Sequence, residues 1–170
     1  MQELIGRGIG RMLRRGSEAV RRRFADEAED VPPRSAEAAG FAPGSGSYVQ
    51  KNEDMSDLSR RYQVHNGGRP GEAYRLEGLD GNPVDFDAYE GGTLIDSKAH
   101  YEHFFKDGKP REWWRGDEEL IAQAKRQAEA ARGKPIEWRF LEREPARHYA
   151  DRFERAGIPI RVRHVPMDGG

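Results

Sequence analysis

The stretch Val84-Asp85-Phe86-Asp87-Ala88-Tyr89-Glu90-Gly91-Gly92-Thr93-Leu94-Ile95-Asp96-Ser97-Lys98 constrains this chain more than any other. Val84 and Phe86 alternate with Asp85 and Asp87, a Glu-Gly-Gly turn follows, and the two-residue period of a strand then sets Leu94, Asp96 and Lys98 on one face, so the segment reads as a β-hairpin. Its second strand is short, apolar on both sides and therefore expected near the centre of a sheet. Charges there cost free energy unless they are paired or bound to a metal.

Two readings of the charges compete. In one, Asp96 and Lys98 form a salt bridge at the edge of an ordinary hairpin. In the other, Asp87 and Asp96 meet across the hairpin as hard oxygen ligands for Mg²⁺, and Lys98 beside them stabilises charge on a phosphoryl group. An Asp followed after a gap by Asp-x-Lys is the pattern of metal-dependent nucleases, and the neighbouring segments must decide between the two.

The chain has 170 residues, with 29 Lys and Arg against 30 Asp and Glu, so any affinity for nucleic acid must come from local basic patches. Hydrophobic residues make up 35% and mean hydropathy is −0.98, low enough to imply that part of the chain packs no core. The absence of Cys excludes disulfides, zinc-thiolate sites and thiol catalysis. No apolar run reaches membrane-spanning length or resembles a signal peptide, so no stable membrane insertion is expected.

Residues 1–30 read as a basic amphipathic helical segment. Ile5, Ile9, Met12, Leu13, Val20 and Phe24 lie near one stripe, and seven arginines up to Arg23 face only Glu3 and Glu18. A membrane-surface helix, a nucleic-acid arm, a docking helix and an inert tail are all consistent with it. Residues 31–50 form a Pro/Gly/Ser-rich linker, and the compact domain is expected over 51–166.

Within that domain Ser56 caps a helix that faces Leu58 and Tyr62 inward and stops at His65-Asn-Gly-Gly. Glu72-Ala-Tyr74-Arg-Leu76 is a strand, and Glu72 is a further carboxylate at its start. After Lys98 comes an aromatic and basic loop with His100, Tyr101, His103, Phe104, Phe105, Lys109, Arg111, Trp113 and Trp114, suited to stacking on bases or to closing the core, with the core reading preferred for the two tryptophans. His100 and His103 with Asp96 suggest a zinc hydrolase, although His-x-x-His lacks a third convincing ligand. Asp117 is expected to cap a helix ending at Gly133, whose inward stripe carries Gln123 and Gln127 where Leu is ordinary. A buried amide needs partners, and a phosphate, a metal-bound water or Lys98 would serve. Gln127 reads equally well as a solvent-facing residue at the edge of the stripe. Residues 135–140 form a strand, Pro145 opens a helix closed by Gly157, and Ile158 to Val162 make a last strand, at an edge because of Pro159, with Arg161 and Arg163 outward. The order implies an α/β fold of three layers, a small mixed sheet flanked by helices.

Several motifs occur here in order: Tyr62-Gln63, Gly71-Glu72, Asp85-Phe86-Asp87, Leu94-Ile95-Asp96-Ser97-Lys98, the Gln123-Ala-Lys125-Arg-Gln127 helix, Pro135-Ile136-Glu137-Trp138-Arg139-Phe140 and Ile160-Arg-Val162-Arg-His164-Val-Pro166. Together, over about residues 56–166, they resemble the Tox-REase-5 group, restriction-endonuclease-like toxin domains of bacterial polymorphic toxins and type VI secretion effectors. The resemblance implies a PD-(D/E)xK endonuclease that uses Mg²⁺, with Mn²⁺ able to substitute, and hydrolyses DNA in preference to RNA. By position it implies Asp87 and Asp96 as metal ligands, Lys98 as the catalytic lysine, Glu72 as an auxiliary acid and Gln123 as a helper. Gln127, Lys125 and Arg111 are candidate nucleic-acid contacts. The family usually has Gly where this chain has Ala88, and Asp85 is an alternative ligand to Asp87. The implied partners are a cognate immunity protein and, through residues 1–47, a secretion adaptor or chaperone, with delivery by a bacterial secretion system into the target-cell cytoplasm. A catalytically silent protein- or nucleic-acid-binding module on the same fold is the rival reading.

Overall fold

The computed structural model describes residues 46–167. The basic segment 1–30 and most of the expected linker lie outside the described residues. The elements run β1 (Ser47–Gln50), α1 (Asp57–His65), β2 (Glu72–Glu77), β3 (Pro83–Phe86), β4 (Ala88–Glu90), β5 (Thr93–Lys98), a 3₁₀ turn at Glu102–Phe104, β6 (Phe105–Lys106), β7 (Lys109–Pro110), α2 (Gly116–Ala131), β8 (Ile136–Phe140), α3 (Arg143–Ala156) and β9 (Arg161–His164).

The strands form three sheets. β1-β2-β3 is antiparallel, β4-β5-β8-β9 is mixed with its last two pairings parallel, and β6-β7 is a small hairpin. β5 sits inside the four-stranded sheet, as its apolar character on both faces requires: Leu94 and Ile95 are both buried. α1 packs on β5, α2 on β2 and β3, and α3 on β8 and β9. The expected mixed sheet covered by helices is present, accompanied by a second sheet.

The expected single hairpin over 84–98 is divided. β3 turns away to pair with β2, and the hairpin proper is β4–β5, closed at Gly91 and Gly92 with φ of 55° and 84°. Positive φ at both central residues is what a tight two-residue turn needs, and glycine supplies it at no steric cost. Asp87 is left alone between the two sheets. Its own N–H still donates to Ile95 O at 2.9 Å and carries the β4–β5 ladder one step further.

Four local expectations differ. Residues 47–50, placed in the linker, form a strand, because Tyr48 packs edge-on to Tyr74 at 5.2 Å and gives this polar stretch an anchor that only the tertiary fold reveals. Asp117 is not the cap of α2: Arg115 precedes the helix, and the Asp117 carboxylate instead accepts from Tyr149 Oη at 2.8 Å and pairs with Arg152. Trp114 packs against the core, stacked on Phe104, whereas Trp113 is 63% exposed. The last strand begins at Arg161 rather than Ile158, on the sheet edge that Pro159 anticipates.

The core is aromatic. Phe140 stacks on Tyr149 with centroids 5.5 Å apart and meets Trp138 and Tyr101, and all of these rings but Tyr101 are fully buried. Phe140→Ala should lower unfolding free energy by about 3–5 kcal/mol. A urea titration read by far-UV circular dichroism checks this, with the midpoint falling at unchanged slope.

Candidate active site

Asp96 and Lys98 are 5% and 6% exposed and face α2 from the C-terminal half of β5. Lys98 Nζ lies 2.9 Å from Asp96 Oδ1 and donates to Gln123 Oε1, also at 2.9 Å. Gln123 Nε2 donates to Asp96 Oδ2 at 3.2 Å, and Gln127 Nε2 makes a second, short bond to the same oxygen. Gln127 in turn accepts from Trp138 Nε1 at 2.7 Å and donates to Asp85 O at 3.1 Å, so every polar atom of that amide is used. Lys98 Nζ also lies 4.3 Å above the Trp138 ring. Burial is the largest influence on the Lys98 pKa and lowers it, but Asp96, Tyr101 and Asp87 together outweigh it and the net shift is upward. The lysine is held as an ammonium.

Asp87 reaches β5 from the seam between the sheets. Its Oδ2 accepts from Ser97 N–H at 2.6 Å and its Oδ1 from Gln63 Nε2 of α1 at 2.9 Å. Burial first, and the Asp96 charge second, push its pKa up to about 8. The structure thus brings Asp87, Asp96, Lys98 and Gln123 together.

Asp85, the alternative to Asp87, is turned elsewhere. Arg75 grips it at 2.7 and 3.0 Å, Lys51 lies at 3.1 Å, and the Arg75 hydrogen bond leads in holding its pKa down. Glu72 binds Gln50 at 3.3 Å and, with Glu53 and Gln63, lines a cavity of about 90 Å³ that ends on Asp87. Gln127 is buried and committed internally, so it contacts no nucleic acid in this conformation. Lys125 and Arg111 are exposed, and Arg111 Nε donates to His103 O at 3.0 Å. Ala88, where the family usually has Gly, is wholly buried opposite Ile95.

The donor set suits a hard divalent cation. A carboxylate offers about four lone-pair directions. Asp87 spends two on Gln63 and Ser97, and Asp96 three on Lys98, Gln123 and Gln127. Mg²⁺ keeps most of its waters and is content with one or two carboxylates. Ionisation of Asp87 beside the Asp96–Lys98 pair would leave a net negative charge, which is what its raised pKa resists and what such an ion would relieve. Among the described residues no group of three or more His, Asp or Glu is placed to hold a metal, so neither His100 and His103 nor the Asp87–Asp96 pair has a third such ligand.

The family model described as Restriction endonuclease fold toxin 5 matches residues 59–143. The chain belongs to this family. No curated protein matches it. The Tox-REase-5 match spans α1 to the start of α3 and so contains Gln63, Asp87, Asp96, Lys98, Gln123 and Gln127. Membership gives the restriction-endonuclease fold and the class of nuclease toxins, in which divalent metal ions are the usual cofactors.

Reading the sequence for function counted Tyr62-Gln63 among the motifs but gave Gln63, the amide that fixes Asp87, no role, and gave Trp138 only a place in a strand. Gln63 follows a buried Tyr at a helix end and is indistinguishable there from a surface glutamine. Trp138 carried one signal: an indole N–H in a central strand demands an acceptor.

Because Asp87 is more basic in the fold than the ordinary carboxylate value of about 4, its contribution to stability is complete below that value and is lost as pH rises through about 8. In EDTA, the denaturation midpoint should therefore fall between roughly pH 5 and 8. Asp87→Asn should flatten that part of the profile, as chemical denaturation at a series of pH values would show.

Proposed function

We propose that this domain is a Mg²⁺-dependent endonuclease toxin that hydrolyses phosphodiester bonds of DNA in competitor bacteria and is neutralised in the producer by a cognate immunity protein. The observation that carries the reading is the convergence of Asp87, Asp96 and Lys98 around β5, with Lys98 aimed by Gln123. In this reading Asp87 and Asp96 hold the cation, and Mn²⁺ can replace Mg²⁺. When bound, the cation supplies Lewis-acid polarisation of the phosphate and a water of lowered pKa.

The chain's own groups do the rest. Lys98, protonated and fixed by Asp96 and Gln123, presents its ammonium to charge accumulating on the phosphoryl oxygens; being held protonated, it acts as an electrostatic stabiliser rather than a base. Preorganisation of this kind needs a donor that does not reorient during the reaction, and the Gln123 amide, the Asp96 carboxylate and the Trp138 face provide that. Gln63 and the Ser97 N–H keep Asp87 turned toward Asp96. Glu72 and Glu53 line the approach to Asp87, where they are placed to orient water.

Delivery by a secretion system, with residues 1–47 engaging an adaptor or chaperone, is the route we favour because the family is one of toxins. Among the described residues no helix is long and apolar enough to cross a membrane.

Purified protein incubated with plasmid DNA and with total RNA should degrade DNA in Mg²⁺ or Mn²⁺ and stop in EDTA. Lys98→Ala should reduce cleavage at least about a hundredfold, the scale of one lost electrostatic stabiliser, with the circular dichroism spectrum unchanged. Full activity in that variant would end the nuclease reading, and plasmid that is bound but left intact would favour the silent binding module.

A further inference from the structure

β8 and β9 carry a second charged constellation that the catalytic groups do not use. Trp138 and Phe140 turn into the core, so Glu137 and Arg139 point to the other face of the sheet. The parallel register sets Arg161 opposite Glu137 and Arg163 opposite Arg139. Three guanidinium groups therefore surround one carboxylate: Arg139 Nε at 2.7 Å, Arg163 Nη1 at 3.3 Å and Arg161 Nε at 4.0 Å from Glu137.

One buried carboxylate neutralises one of these cations, and two positive charges remain. Arg139 is mostly covered, and its Nη1 reaches Asn66 O at the end of α1. The Arg161 and Arg163 side chains are 74% and 48% exposed, and each guanidinium keeps several N–H donors free for an anion. Glu137 thus works as a mount that holds the forks in place before any ligand arrives.

The cluster is tied to the catalytic strand. Arg139 is in register with Ser97 of β5, whose N–H holds Asp87 and whose chain neighbours are Asp96 and Lys98. Ser97, Arg139 and Arg163 form a row across the sheet, with strands spaced about 4.8 Å apart. The whole chain has a formal charge of −1, so it exerts no general attraction on a polyanion. A local surplus two strands from β5, on the sheet face opposite Asp96 and Lys98, has the sign to supply it at a distance from the catalytic groups.

We propose that Arg161 and Arg163, mounted on Glu137 with Arg139, bind phosphate groups of the nucleic-acid backbone away from the scissile bond, where the strand passes the β9 edge of the sheet. The inference rests on the nuclease reading and adds where the substrate lies. The contacts are to phosphate, so they confer affinity and register without sequence preference.

The test uses the full chain in the Lys98→Ala background, which separates binding from cleavage. Fluorescence anisotropy is read with a short labelled DNA duplex and, separately, a single-stranded RNA, between about 50 and 200 mM salt. Arg161→Ala/Arg163→Ala should weaken binding of the preferred probe about tenfold and reduce the salt slope by about two. Arg161→Lys/Arg163→Lys should keep the slope, which a misfolded edge strand would not. In the otherwise unsubstituted enzyme the double alanine variant should raise KM and leave kcat unchanged. Equal affinity and slope in the double alanine variant, with plasmid still cut by the unsubstituted chain, would overturn this inference alone. Loss of binding to poly-glutamate with nucleic-acid affinity intact would overturn it in favour of an acidic protein surface. Absence of cleavage by the unsubstituted chain would instead remove the nuclease reading, while a salt-dependent loss of binding on Arg161 and Arg163 substitution would still support the phosphate row.

Discussion

The rest of the structure depends on an ion pair taken out of water. Asp96 and Lys98 sit almost fully covered on a strand flanked on both sides, where taking the two charges out of solvent costs several kcal/mol per ion even after relaxation. Their mutual attraction does not offset that unless the remaining polar atoms are also satisfied. Gln123 and Gln127 do this from one helix, and Trp138 closes the network from the neighbouring strand. A pair of well-packed apolar residues would be at least as stable here. That this chain keeps charges at such a position is a reason to assign them chemistry, and family membership agrees.

The aspartates of the same short region meet contrasting fates that follow from their surroundings. Asp85 lies on a strand face next to Arg75 and Lys51, and its carboxyl titrates below the usual range. Asp87, two residues later, has only neutral donors, Gln63 and a backbone N–H, and it faces another carboxylate. Asp85 is fully neutralised by protein, whereas ionised Asp87 would carry a negative charge that the protein does not match. In a domain rich in charged residues, the site is marked by where compensation is withheld.

Much of this was legible in the sequence because it depends on local periodicity. The two-residue alternation of Leu94, Asp96 and Lys98 put the ion pair on one face, and the 3.6-residue period put Gln123 and Gln127 on the inward stripe of α2, as found. What was hidden depends on contacts between distant segments. Gln63 is a ligand to Asp87 only once α1 lies across β5, and residues 47–50 become a strand only when Tyr48 finds Tyr74 and lends its hydroxyl to Tyr89 N–H. Gln127 could have faced solvent by its position; the Trp138 indole and the Asp96 carboxylate draw it in. Pairing of β3 with β2 was likewise invisible, since nothing in Val84 to Phe86 tells which of two neighbours a strand will choose.

One consequence follows from the lone residue between β3 and β4. Asp87 is the one residue between β3 and β4, yet its N–H and its carboxylate are both tied to β5, so the carboxylate pair is gauged against a single sheet even though the chain arrives from another. A shift of the three-stranded sheet would load that joint before it moved the pair, so the accuracy of the chemistry is set by the hold of β5 on Asp87 and not by how the two sheets are mated.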